Sequence, residues 1–365
     1  MNILIFILVL GILVFVHELG HFLFAKLFKI RVDEFGFGYP PKMFQFGTFR
    51  GTRLTMNWVP FGGFVKIFGE NDDGGELSPE EKQVSMVYKP RWQQLLVMFG
   101  GILFNIVFAW MLFSGLYMSG VTSSIDSAPA GYAFDETRLL VRGILPEAPV
   151  DVAGLETGDE LKEYFSATDT VTVTDEDITD VAAFINATGE QGQSVGFVVL
   201  RDQKLEIITM EPATGVVGDG YGVGINLDRV GELQLPVHQA LWYGAKNTIA
   251  FTGAIFEGFW QLISGQISAD NVSGPVGIVK QVGDATSIGI SYLIGFTALL
   301  SLNLAVLNFI PFPALDGGRM LIILIESIIR KRLKPTVVDW VNTIGFFALI
   351  LLMVVVTVKD VINLF

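Results

Sequence analysis

Residues 2–16 carry no charge and are almost wholly apolar, and the run resumes at Phe22-Leu23-Phe24-Ala25. Between the two lies His17-Glu18-Leu19-Gly20-His21. A stretch of this length and composition reads as a membrane-spanning helix. At ~1.5 Å per residue, His17 sits about 22 Å along it from Asn2, inside a hydrocarbon layer roughly 30 Å thick. Ionisable side chains at that depth are costly and mark function. The four-residue spacing puts both imidazoles on one helix face, giving two nitrogen ligands for zinc with Glu18 beside them as a general base. A competing reading satisfies the two histidines with neighbouring helices and needs no metal.

Composition decides how much else the chain can hold. With 365 residues and 51% hydrophobic content, it has room for several spans and one domain of about 100 residues. Cysteine is absent, which excludes disulfides and thiolate metal sites. The net charge of −13 is unevenly spread and gives no expectation of a nucleic-acid partner. Residues 26–53 hold six Lys/Arg against Asp33 and Glu34, and residues 319–334 hold five against Glu326. Residues 121–287 hold eight basic and twenty-four acidic side chains. The positive-inside rule assigns the two basic segments to the cytoplasm and the acidic middle to the outside. The amino end lacks a basic n-region and a small-residue cleavage site, so it reads as a retained span.

Taken in order, the pattern predicts a multi-pass α-helical membrane protein with about four spans, near 2–27, 94–118, 288–310 and 341–364. Residues 1–120 form the first part of the membrane core. They include a β-hairpin at 53–67, built on a Pro60-Phe61-Gly62-Gly63 turn. Asn71 to Glu76 make a polar connection. Gly100, Gly101 and Asn105 in the second span read as helix-packing residues. Residues 121–213 hold a linker and a small α+β domain, and 214–287 a β-like connection and an amphipathic helix. That helix, at 238–264, is expected to lie on the outer membrane surface, because crossing would upset the charge topology. His238 begins it and has no expected metal role. Ser273-Gly274-Pro275-Val276-Gly277 is a tight turn without legible chemistry. Residues 288–365 complete the membrane core.

A catalytic zinc takes a third protein ligand and keeps a fourth position for water. No other histidine falls near the inner end of the first span, so a carboxylate is required. Spans one and three both run from outside to inside, which brings their carboxyl ends together. Asp316 stands there, after Pro311 and Pro313 have broken the helix and before Gly317-Gly318. Helix capping is its other possible role, and Glu326, ten residues on, is the competing ligand.

These motifs together resemble the site-2 protease family (peptidase M50), in its bacterial branch of RseP-type intramembrane zinc metalloproteases. The resemblance is carried by His17-Glu18-Leu19-Gly20-His21, the Gly62-Gly63-Phe64 hairpin, the Ser273–Gly277 turn, and Asn308-x-x-Pro311 leading to Leu315-Asp316-Gly317-Gly318. The Ala153-Gly154-Leu155-x-x-Gly158-Asp159 turn resembles the PDZ family, whose members bind extended peptides by strand addition. The first resemblance implies Zn2+ as cofactor, held by His17, His21 and Asp316, with Glu18 moving the proton and Asn308 as a candidate oxyanion donor. Packing is the alternative for Asn308. It implies hydrolysis of single-span membrane proteins or remnant signal peptides in the bacterial inner membrane, with one extracytoplasmic PDZ domain that holds peptides or screens substrate ectodomains. Two other classes stay open: a catalytically silent PDZ-bearing scaffold, and a membrane zinc protease for soluble or lipidated peptides with a glutamate ligand such as Glu326.

Overall fold

The computed structural model describes residues 2–70, 77–129, 131–173, 178–201, 203–216, 218, 220–267 and 273–362. The polar connection read at 71–76 lies outside them. The chain divides into two compact units, residues 1–118 with 236–365, and residues 119–235.

The first unit begins with α1 (Asn2–Leu27), among the described residues one of four helices long and apolar enough to cross a membrane. Two long strands follow, β1 (Val32–Phe49) and β2 (Thr52–Ile67), joined at Arg50-Gly51. The sequence reading placed only 53–67 here, with its turn at Pro-Phe-Gly-Gly. That correction has a physical cause. Each strand is bent midway, so Glu34–Phe37 pair with both Arg53–Met56 and Gly63–Lys66, while Phe44–Phe49 pair with Thr52–Met56. The result is four short segments side by side, in the order 42–49, 52–57, 34–37, 63–67. The Pro60–Gly63 stretch is the second bend, not the hairpin tip.

This sheet lies along α1. Phe37 meets Gly11 at the bend, Phe35 packs edge-on against Phe15 and Phe22, and Lys26 Nζ donates to the Arg50 carbonyl at the tip (3.2 Å). From Gly11 to Lys26 is about 22 Å of helix, so the sheet runs beside most of the inner part of the apolar span.

After α2 (Pro79–Val84), α3 (Arg91–Ser119) is the second apolar helix. In the second unit, β3 (Val121–Ser124), β4 (Thr137–Ile144), α4 (Pro149–Val152), β5 (Glu160–Phe165), β6 (Thr170–Thr172) and α5 (Ile178–Glu190) come first. Then come β7 (Val195–Arg201), β8 (Lys204–Met210), β9 (Ala213–Thr214), β10 (Tyr221–Gly222) and β11 (Ile225–Leu233). The sheet order is β3-β11-β4-β5-β7-β8, with β6 on β5. Val141, Val150, Leu155, Val195, Phe197 and Val199 fill its core with almost no exposure. The buried Asp159 takes two bonds from Arg201 (2.7 and 2.6 Å), which holds the Gly154–Asp159 turn against β7. The sequence reading closed this domain near 213. The unit instead extends to Leu235, because β11 pairs with β4 over Ile225–Gly231 and with β3 over Val230–Leu233.

The first unit resumes with α6 (Val237–Ile263), α7 (Pro275–Ile288) and the apolar α8 (Ile290–Phe309). It ends with α9 (Asp316–Ile329) and the apolar α10 (Pro335–Ile362). α8 runs antiparallel to α3: Gly295 faces Leu116, and Ser301 Oγ donates to the Asn105 carbonyl (2.8 Å). Ala109, Phe113, Ala298 and Leu302 close the seam. α6, expected on the outer membrane surface, is not among the four helices long and apolar enough to cross, and it packs on α3 and α8: Asn247 donates to Tyr117 (2.6 Å), Phe251 stacks on Phe113 and Phe256 meets Phe309 edge-on. The tight turn at 273–277 caps α7: the Gly274 and Gly277 amides donate to Asp360 of α10 (3.2 and 2.7 Å).

Candidate metal centre

Three glycines set the site. A Cβ on Gly20 would run into the Gly100 carbonyl and stand 2.9 Å from Gly101 Cα, so α1 and α3 cross with backbone against backbone. Gly101 then lies directly under the two imidazoles, where a Cβ would stand 2.7 Å from His17 Cε1 and 2.8 Å from His17 Nε2. Gly100 and Gly101 were read as packing residues. Packing is what they do, and it is also what leaves room for the rings.

Asp316 reaches the same point from the other side. Ala314 adopts φ +70°, its N–H donates to Asn342 Oδ1 (3.3 Å), and the Phe312 N–H donates to the Ile310 carbonyl (2.7 Å). Gly317 and Gly318 then pass so close to the Ile310 and Phe312 carbonyls that no side chain would fit. The broken helix thus delivers Asp316 as the first residue of α9.

His17 Nε2 lies 2.9 Å and His21 Nε2 3.3 Å from Asp316 Oδ2, and the two Nε2 atoms are 3.1 Å apart. Two ligands at ~2.0–2.1 Å from a tetrahedral zinc stand roughly 3.3 Å apart, so the three separations suit one face of such a site. Asp316 Oδ2 is buried and has no hydrogen-bond partner among the described residues, although two ring nitrogens face it. An acceptor left so is costly unless a cation completes it. His21 Nδ1 donates to the Val97 carbonyl (2.8 Å), which leaves its Nε2 lone pair pointing at the cluster. Among the described residues this is the one group of three that could hold a metal ion.

Glu18, one residue from His17, faces the bent sheet instead. A Cβ on Gly63 would be 3.7 Å from Glu18 Cγ, and the Val65 backbone N–H lies by its carboxylate. Glu326 is not in the cluster. It pairs with Arg91 (2.7 Å) and accepts from the Leu333 N–H (2.9 Å). His238 is exposed at the start of α6. Asn308 is half-buried near the end of α8, and no hydrogen bond of it to the cluster is found among the described residues. Asn105, taken for a packing residue, is buried with its amide against His17 Nδ1 (3.3 Å). A lone polar residue four positions past Gly101 in an apolar span was its one sequence signal.

The profile of Peptidase family M50 matches residues 5–352. A Clostridium perfringens protein, provisionally named a zinc metalloprotease, is 35% identical over 358 residues, covering 98% of this chain and 97% of its own length. The zinc metalloprotease RasP of Geobacillus kaustophilus is 29% identical over 425 residues, covering 98% of this chain and 96% of its own. RasP of Oceanobacillus iheyensis is 26% identical over 439 residues, with 99% and 98% covered. The chain belongs to peptidase family M50, the site-2 protease family. It is a zinc metalloprotease carried on apolar helices fit for a membrane.

Proposed function

We propose that this protein is an intramembrane endopeptidase whose substrates are single-span membrane proteins or remnant signal peptides. One observation carries the reading: His17, His21 and Asp316 converge between helices whose outer surfaces are apolar, beside a sheet that follows the span. His17, His21 and Asp316 would hold the zinc. When bound, zinc polarises a carbonyl oxygen and makes water acidic enough to attack near neutral pH. Glu18 accepts the proton from the attacking water and returns it to the leaving nitrogen. Its carboxylate is not one of the three converging ligands, and it lies within electrostatic reach of both His21 and Asp316. Asn308 remains a candidate donor to the developing oxyanion.

A helical substrate hides its carbonyls in hydrogen bonds, and an opened segment in lipid must find new backbone partners. The 63–67 segment supplies them. Among the described residues it pairs with Glu34–Phe37 on one side only, and its other edge runs past Glu18. A substrate strand added there would carry its scissile bond past the metal ligands.

The 119–235 unit, with its Gly154–Asp159 turn and antiparallel sheet, supports the reading as a PDZ domain. Its acidic surroundings favour the extracytoplasmic side of a bacterial inner membrane, with the active site toward the cytoplasm. There it would bind peptides or screen ectodomains, whose removal would make a substrate admissible. The test is a comparison of membrane proteomes from cells with wild-type and Glu18→Gln enzyme. Accumulation of single-span fragments in the variant, with zinc still bound, is the expected result. Unchanged membrane fragments and a changed soluble peptidome would favour the other membrane zinc proteases.

A further inference from the structure

Asn105 has no exposed surface, and its amide nitrogen stands 3.3 Å from His17 Nδ1 while its Oδ1 has no hydrogen-bond partner among the described residues. The nitrogen of His17 that faces Asp316 and His21 is Nε2. A neutral imidazole that offers Nε2 to a metal carries its proton on Nδ1. An Nδ1–H against an amide –NH2 is donor against donor. The two ends of an asparagine amide have nearly the same shape, and turning it about its last bond replaces that conflict with an acceptor. One end of the amide lacks a protein partner in either orientation, so the histidine decides which.

We infer that Asn105 is a positioning residue of the metal centre: its Oδ1 accepts the His17 Nδ1–H, fixing the tautomer and ring plane that direct Nε2 to the zinc. This rests on His17 being a ligand. It gives His17 what the Val97 carbonyl gives His21 (2.8 Å). Asn105 is itself fixed in place, because its backbone carbonyl accepts from Ser301 Oγ of α8 (2.8 Å). The Gly101 carbonyl also faces the His17 ring and is the competing acceptor. If it takes the proton alone, Asn105 only packs.

The experiment uses the full chain in detergent, with zinc affinity measured by chelator competition for wild type, Asn105→Leu and Asn105→Asp. Outer partners of metal ligands typically change affinity ~10–100-fold. Asn105→Leu is expected to lose that much, and Asn105→Asp, which keeps an acceptor, to stay nearer the wild type. The chain has three histidines, so 15N-histidine NMR of the zinc-loaded protein reads the tautomers directly. A hydrogen-bonded Nδ1–H on His17 that alters in Asn105→Leu is expected, and this holds even if the aspartate variant does not fold. Unchanged affinity and an unchanged Nδ1–H in Asn105→Leu would overturn the inference in favour of the Gly101 carbonyl. An aspartate variant that folds and binds as weakly as leucine would show that shape matters and not the acceptor. Failure of the wild type to bind zinc through His17 would sink the ligand assignment instead.

Discussion

At Gly101 a single added carbon would meet both imidazoles. Gly101→Ala should therefore displace the ring nitrogens and reduce bound zinc well below one per chain. Gly115→Ala, on the same helix with open space around it, should leave zinc untouched. Equal zinc content in the two variants, read by atomic absorption, would mean the glycine crossing has no part in shaping the site. Glu18 predicts the opposite split. Glu18→Gln removes a proton acceptor and no ligand, so zinc is retained and cleavage is lost. His21→Ala with Asp316→Ala should lose both. The cluster was legible in the sequence for chemical reasons: with no cysteine and one histidine outside the first span, few ligand sets remained. Asn105 was not, because an asparagine in an apolar helix reads the same whether it bonds a helix or a ligand ring.

The bent sheet is the element on which the substrate argument turns. Its second strand was visible as a β-prone run, while the first was hidden. Asp33, Glu34, Gly36, Gly38, Pro40 and Pro41 break the alternation that marks a strand, since the bend and the double pairing impose their own demands. The stretch that holds β11 read as β-like, but no local pattern assigns it to the sheet of β3 and β4. What no local pattern could give was the position of Val65, whose N–H lies on the unpaired edge by Glu18. Val65→Pro removes that donor and keeps a small apolar ring. Under the clamp reading, cleavage of a helical membrane substrate should fall about tenfold or more, equivalent to roughly 1.4 kcal/mol. A short extended peptide should lose much less, with zinc content unchanged. Equal loss on both substrates would mean the N–H serves Glu18 or the fold and not the substrate.

For the whole molecule, the charge asymmetry makes a prediction that the helices alone do not. Basic residues cluster at 26–53 and 319–334, and acidic ones across 121–287, so the prediction is that the two groups lie on opposite sides of the membrane. The natural absence of cysteine allows a direct measurement. Thr168 and Lys331 are both exposed, one in each group. A single cysteine at 168 should react with an impermeant maleimide on intact cells stripped of their outer barrier. One at 331 should react only after the membrane is opened. The reverse order would invert the orientation, and reaction of both in intact cells would refute the crossing arrangement. The same orientation gives the 119–235 unit its proposed role. It follows α3 and precedes α6 in the chain, and the proposed orientation would put it on the side of substrate ectodomains. If it screens them, replacing residues 119–235 by a short flexible linker should allow cleavage of substrates that keep a bulky outer domain. Already trimmed substrates should be cut at the wild-type rate. Selectivity that survives the deletion would make the unit a spacer or a peptide-binding module, and would move the choice of substrate to the unpaired strand edge beside Glu18.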